Sequence, residues 1–180
     1  PIFIITQWYL NLWSIASMFF ILLGLTDGML HGILVESFMG GTNMKPRIVR
    51  ANEGTTKTAS SEMFVGHVLH DQVFVPEDPS RLRVSRVTFT PGGRTNWHTH
   101  AVGQVLYVIS GTGRYQLDGE TVEEIRAGDT VIVPPNTRHW HGAAPDQMMC
   151  HLALSENDDE GAAAEWLEPV SETDYTAPIA

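Results

Sequence analysis

The chain is poor in cysteine and in positive charge, and its first 26 residues contain no charged residue at all. One cysteine, Cys150, in 180 residues rules out an intrachain disulfide, so nothing ties the chain to an oxidising compartment. Cys150 falls in a strand-like run and is read as a small buried hydrophobe rather than a nucleophile. Only 11 Lys and Arg stand against 21 Asp and Glu, for a net charge of -10, which excludes the basic face that nucleic acid demands. No Lys or Arg follows Arg138, and the acidic residues from Glu156 to Asp174 read as a solvated face. There is no internal repeat and no low-complexity tract.

Charge is missing from residues 1 to 26 because that region is apolar. Trp8 to Leu25 is long enough to cross a bilayer, and the first cations, Lys45, Arg47 and Arg50, follow it. Residues 1 to 43 are therefore read in two ways: as a membrane anchor that leaves the rest of the chain in the cytoplasm, or as a non-native extension. The second reading comes from Pro1 at the start and from Met44-Lys45-Pro46, which resembles an ordinary protein start. Without the segment, the expected location is the cytoplasm. The remainder, 44 to 180, is expected to be one domain, and the 43% hydrophobic content suffices for a core.

From Ile48 onward the pattern is of short β-like runs between turn residues. Met63 to Leu69, Arg81 to Thr90, Gln104 to Ser110, Arg114 to Leu117, Glu120 to Ile125, Thr130 to Val133 and Met148 to Leu154 read as strands. Asp118-Gly119 is a two-residue hairpin signal. Many short strands with Gly and Pro turns predict an all-β sandwich or barrel. Gly161-Ala-Ala-Ala-Glu-Trp-Leu-Glu168 predicts a short C-terminal helix stopped by Pro169, with Trp166 and Leu167 packing on the sheet.

Chemistry concentrates in two places. His98 and His100, at i and i+2, point to one face of a strand. Gln104 follows after a short turn, and His139 comes after Pro134-Pro135-Asn136 from elsewhere in the fold. Three imidazoles and an amide oxygen form a shell suited to a first-row divalent ion: Mn, Fe, Ni, Cu or Zn. With no carboxylate in that set, the whole 2+ charge stays uncompensated, which favours anions or a substrate alkoxide. His141 shares the facing of His139 and is read as supporting the site or contacting substrate, with Trp140 turned away. His31, His67 and His70 are read as ordinary hydrogen-bonded histidines.

These residues resemble a known family. Gly92, His98, His100, Gln104 and Gly111 stand at the spacing of the first cupin motif, with Gln in place of the usual Glu, and Gly128, Pro134 and His139 match the second. Asn136 and Ala143 replace that motif's usual Gly and Asn. Phe89 to His100, His139 to Pro145, His151-Leu-Ala153 and Glu165 to Val170 resemble the small single-domain cupins that include manganese-dependent hydroxynitrile lyases.

The resemblance runs from about Lys45 to Tyr175. It implies a cupin jelly roll, Mn as the metal, a homodimer and a small-molecule substrate. It also implies cleavage or formation of an α-hydroxynitrile without redox chemistry, with the metal as Lewis acid and His151 as general base. Two rival readings are an oxygen-dependent dioxygenase or oxidase using the same ligands, and a non-catalytic metal- or ligand-binding cupin. Decarboxylase or isomerase chemistry on a small acid is also compatible with the fold.

Overall fold

Strand-forming runs that alternate apolar and polar residues bury one face each, and here they do so in two antiparallel sheets. A computed structural model describes residues 45–180. The hydrophobic stretch within 1–43, with its anchor and extension readings, lies outside the described residues. Among those described, no helix is long and apolar enough to cross a membrane.

The first sheet runs β1 (Lys57–Thr58), β3 (Val68–Phe74), β4 (Leu82–Phe89), β11 (Met149–Glu156), β7 (Gln104–Leu117) and β9 (Thr130–Val133). The second holds β2 (Phe64–Val65), β5 (Arg94–Thr95), β6 (His98–Thr99), β10 (His139–Ala143), β8 (Glu123–Arg126) and β12 (Glu165–Trp166). β7 belongs to both: Gln104 to Gly111 pairs with β11, and Gly113 to Leu117 pairs with β10. Gly111 makes the crossing possible, because its φ is +80° and a Cβ there would lie 1.9 Å from the Met148 carbonyl oxygen. The result is the all-β architecture expected from the strand pattern, in the two-sheet jelly-roll form that the family resemblance implies.

Inside, side-chain parity sorts the chain. On β4 the inward row is Arg83, Ser85, Val87 and Phe89; on β11 it is Met149, His151, Ala153 and Ser155, paired residue by residue with the first. Val68, Phe89, Val108 and Met149 close one end of the space between the sheets as a core. Toward the other end the same rows turn polar. A second core, Trp97, Val122, Trp140, Val170 and Tyr175, forms on the other face of the second sheet. Trp140 faces it because its parity is opposite to that of His139 and His141, and its Nε1 donates to Gln116 Oε1 at 2.7 Å. The segment that covers it ends in α1 (Glu172–Tyr175), where the Tyr175 hydroxyl donates to the Ala143 carbonyl at 2.8 Å.

Three local expectations need correction. Gly161–Glu168 is not a helix: Glu165 and Trp166 pair with Thr99 and His98 as β12, and the α-helix among the described residues is α1. Three alanines cannot meet the cost of helix nucleation, whereas Trp166 gains an imidazole to stack on. Met63 to Leu69 is not one strand either, since Gly66 at φ +81° breaks it into β2 and the start of β3. Cys150 lies on the outward row of β11 and is only half-buried, with the Thr88 hydroxyl 3.4 Å from its sulfur.

Candidate metal centre

The His-x-His spacing and the β10 pairing bring three imidazoles together. His139 sits directly across the ladder from His98, and the ring nitrogens of His98, His100 and His139 lie within 4.8 Å of one another. All three rings are buried. Each spends its Nδ1 on a backbone carbonyl: His98 on Asn96 at 3.0 Å, His139 on Thr137 at 2.9 Å, and His100 on Ala163 at 2.6 Å. A carbonyl only accepts, so each Nδ1 carries the proton and each Nε2 keeps a lone pair. The first two use the same local device, a bond to the residue two before; the third depends on the segment leading into β12.

These donors fit a metal ion. His100 Nε2 is buried and has no hydrogen-bond partner among the described residues. His139 Nε2 lies 3.1 Å from Gln104 Oε1, so one lone pair faces another, an arrangement that a cation between them satisfies. Gln104, the first residue of β7, is itself buried. Burial, more than any other cause, lowers all three imidazoles below the ordinary histidine range, His139 to about 4, which keeps them neutral and able to ligate at neutral pH. Among the described residues, no carboxylate is among the groups that act on these three rings.

His141 and His151 form a second, adjacent pair. His141 Nδ1 and His151 Nε2 are 3.1 Å apart, and the His141 backbone N–H donates to Thr95 Oγ1 at 3.1 Å. Burial holds both rings well below their usual value, His151 at about 4. Phe89 packs edge-on to His141 at 5.9 Å and against His151 at 5.3 Å.

A cavity of about 430 Å³ opens over this cluster. His98, His100, Gln104 and His141 line it, with Thr95, Phe64, Val87 and Trp166. His141 Nε2 has no partner among the described residues. His151 does not line the cavity; it stands behind His141 and reaches the space through it. Phe89 and Leu106 are core residues.

The family is decided by comparison with known proteins. A chain of Granulicella tundricola named (R)-mandelonitrile lyase is 43% identical over 128 residues, which is 71% of this chain and 97% of that one. The cupin domain family matches residues 85–154. This chain is a cupin. A cupin-like protein from Thermotoga maritima, solved by crystallography, superposes with a TM-score of 0.62 at 39% identity, covering 66% of this chain and 89% of the other. A shorter match, 38% over 52 residues, is to an acireductone dioxygenase of Picosynechococcus; it covers 27% of this chain and 30% of that one.

Within the cupin frame the departures from the second motif acquire reasons. Asn136 stands at φ +57°, a left-handed position that glycine takes without strain and asparagine tolerates better than most residues. Ala143 is fully buried, and its N–H donates to the Gly93 carbonyl at 2.8 Å. Two residues near the metal centre went unread in the sequence. Trp166 stacks on His98 with ring centroids 4.7 Å apart, and the Ala163 carbonyl fixes His100. Trp166 carries a signal, since Glu165 to Val170 belongs to the family resemblance and the ring is expected to pack on the sheet, but not its place beside His98; Ala163 acts through its backbone and carries none.

Proposed function

We propose that this cupin is a metal-dependent lyase that splits a small α-hydroxynitrile into an aldehyde and hydrogen cyanide, or runs the reverse addition. The observation that carries the reading is the unpartnered His141 Nε2 at the wall of the cavity that His98 and His100 of the three-histidine cluster also line. The likeness to a protein named (R)-mandelonitrile lyase supplies the substrate class. His98, His100, His139 and Gln104 would hold the ion, Mn by family likeness. Bound there, it supplies Lewis acidity without any change of charge.

The chain's own residues handle the proton. His141 Nε2 accepts it from the substrate hydroxyl, and the resulting cation is shared through Nδ1 with His151 Nε2, so the general base is the pair. As the O–H pair becomes the carbonyl π bond, the carbon–nitrile bond breaks and its electrons leave on cyanide. His141 Nε2 then returns the proton to form hydrogen cyanide. Trp166 and Phe64 give the cavity an apolar wall that limits water.

The test is cyanide release from mandelonitrile by the Mn-loaded chain under nitrogen and in air, beside His141→Ala and His151→Ala. Equal release in both atmospheres, lost with His141→Ala, is the expected result. No release above the metal-free background would sink the reading. The shorter likeness to a dioxygenase favours one alternative, an oxygen-dependent enzyme on the same ligands, and oxygen uptake with release only in air would establish it.

A further inference from the structure

The inward rows of the first sheet change character from one end to the other. Phe89 and Met149 close the bottom; above them come Val87 with His151, then Ser85 with Ala153, and at the top Arg83 with Ser155. An arginine at an inward position of a half-buried strand is costly unless something answers its charge. Six other arginines, Arg47, Arg81, Arg86, Arg94, Arg126 and Arg138, each have a carboxylate partner. Arg83 has none among the described residues. Its Nε reaches Asn157 Oδ1 at 3.4 Å, and its two terminal nitrogens make no hydrogen bond there.

A second cation stands beside it. Lys57 also lines the cavity, opposite His70 in the ladder, and it too has no carboxylate partner among the described residues. His70 Nε2 is 2.9 Å from Ser85 Oγ, and both side chains line the same mouth. Burial lowers His70 most, Asp71 opposes it, and Arg83 and Lys57 lower it further, so both cations lie within electrostatic reach of this ring. Although the chain holds 21 Asp and Glu, no carboxylate among the described residues lines the cavity. A chain of net charge -10 thus keeps, among its described residues, a pocket lined by no carboxylate, with two cations at its mouth that form no ion pair and a metal-type cluster inside.

We propose that this mouth, Arg83 and Lys57 with the His70–Ser85 pair, binds the carboxylate of a small organic acid whose oxygen-bearing end reaches the histidine cluster. The class includes hydroxy and oxo acids, and hydroxynitriles that carry a carboxylate. Arg83 offers a planar fork that matches a carboxylate, and Lys57 a mobile point charge. The residues that line the mouth come from strands and loops, so no helix N-terminus is present to favour phosphate. The inference goes beyond the lyase reading and does not rest on it.

The test is calorimetric titration of the full chain, metal-free and Mn-loaded, with unbranched terminal hydroxy acids from hydroxyacetate to hydroxyhexanoate, each beside its neutral primary amide. The acid should bind roughly tenfold or more tightly than its amide at one chain length or more, in the metal-free protein as well. Arg83→Gln should abolish that preference and Lys57→Gln should reduce it, while Arg126→Gln, at an exposed ion pair outside the cavity, should leave it intact. Lys57 is exposed, so its variant tests the idea even if Arg83→Gln fails to fold.

Equal affinity for acid and amide would overturn the proposal. So would a preference that survives both substitutions, one that appears only with metal bound, or tighter binding of inorganic phosphate than of every acid. Turnover of neutral mandelonitrile by Arg126→Gln should match the unmodified chain. Absence of any mandelonitrile turnover would remove the lyase reading and leave the titration result standing.

Discussion

The five histidines of the metal-type cluster and its neighbouring pair are held in two different ways. His98, His100 and His139 each give Nδ1 to a backbone carbonyl, whereas His141 and His151 bond to each other. A carbonyl cannot donate, so the first three are locked in one tautomer with Nε2 free. Two imidazoles facing each other can exchange roles, so a proton arriving at one can be shared by the other. The same side chain, similarly buried, is suited to ligation or to carrying a proton according to what its other nitrogen touches.

Substitutions can break this contrast at successive depths. The largest effect is expected from His139→Ala, which removes one fixed lone pair: Mn content after dialysis should fall from near one ion per chain to background, and lyase activity with it. His141→Ala should keep the metal yet lower kcat/KM for mandelonitrile by roughly 10²–10⁴-fold, the range for loss of a general base. Metal analysis beside kinetics separates the two, and equal metal loss in both variants would erase the distinction.

Trp166→Ala removes the ring stacked on His98 and should weaken metal affinity by roughly 10-fold, read by competition with a chelator, with activity restored at excess metal. Smallest is Thr95→Val, which leaves the buried His141 backbone N–H without its acceptor; a loss of about 1–3 kcal/mol in denaturant stability is expected. An unchanged midpoint would show that this N–H finds another acceptor.

Much of this arrangement was legible in residue spacing. The i, i+2 rule put His98 and His100 on one face, and the same parity turned Trp140 away from His141 and into the second core. Strand patterning with Gly and Pro turns was enough for an all-β sandwich or barrel, and the motif resemblance narrowed it to the jelly roll. What spacing could not reveal was the support from a distance. Ala163 is 63 residues from His100 and acts through its carbonyl, so its side chain says nothing. Glu165 and Trp166 sit in an alanine-rich run whose local propensity is helical, and pairing with β6 overrides that preference. The inward Arg83 could have been found: it alternates in register with Ser85, Val87 and Phe89, and a cation at that parity was the signal.

The Ala163 carbonyl and the Trp166 ring also give the metal centre an order of assembly. A chain made from its N-terminus has all three imidazoles once His139 has been added, but His100 has no partner to fix its tautomer until residue 163 has followed. An ion met before then would find His100 unfixed; one met afterwards would find that ring pinned and a tryptophan laid over His98. The closing segment therefore completes the setting of these two rings, and the tight retention of any ion held there would be a property acquired only after it is in place.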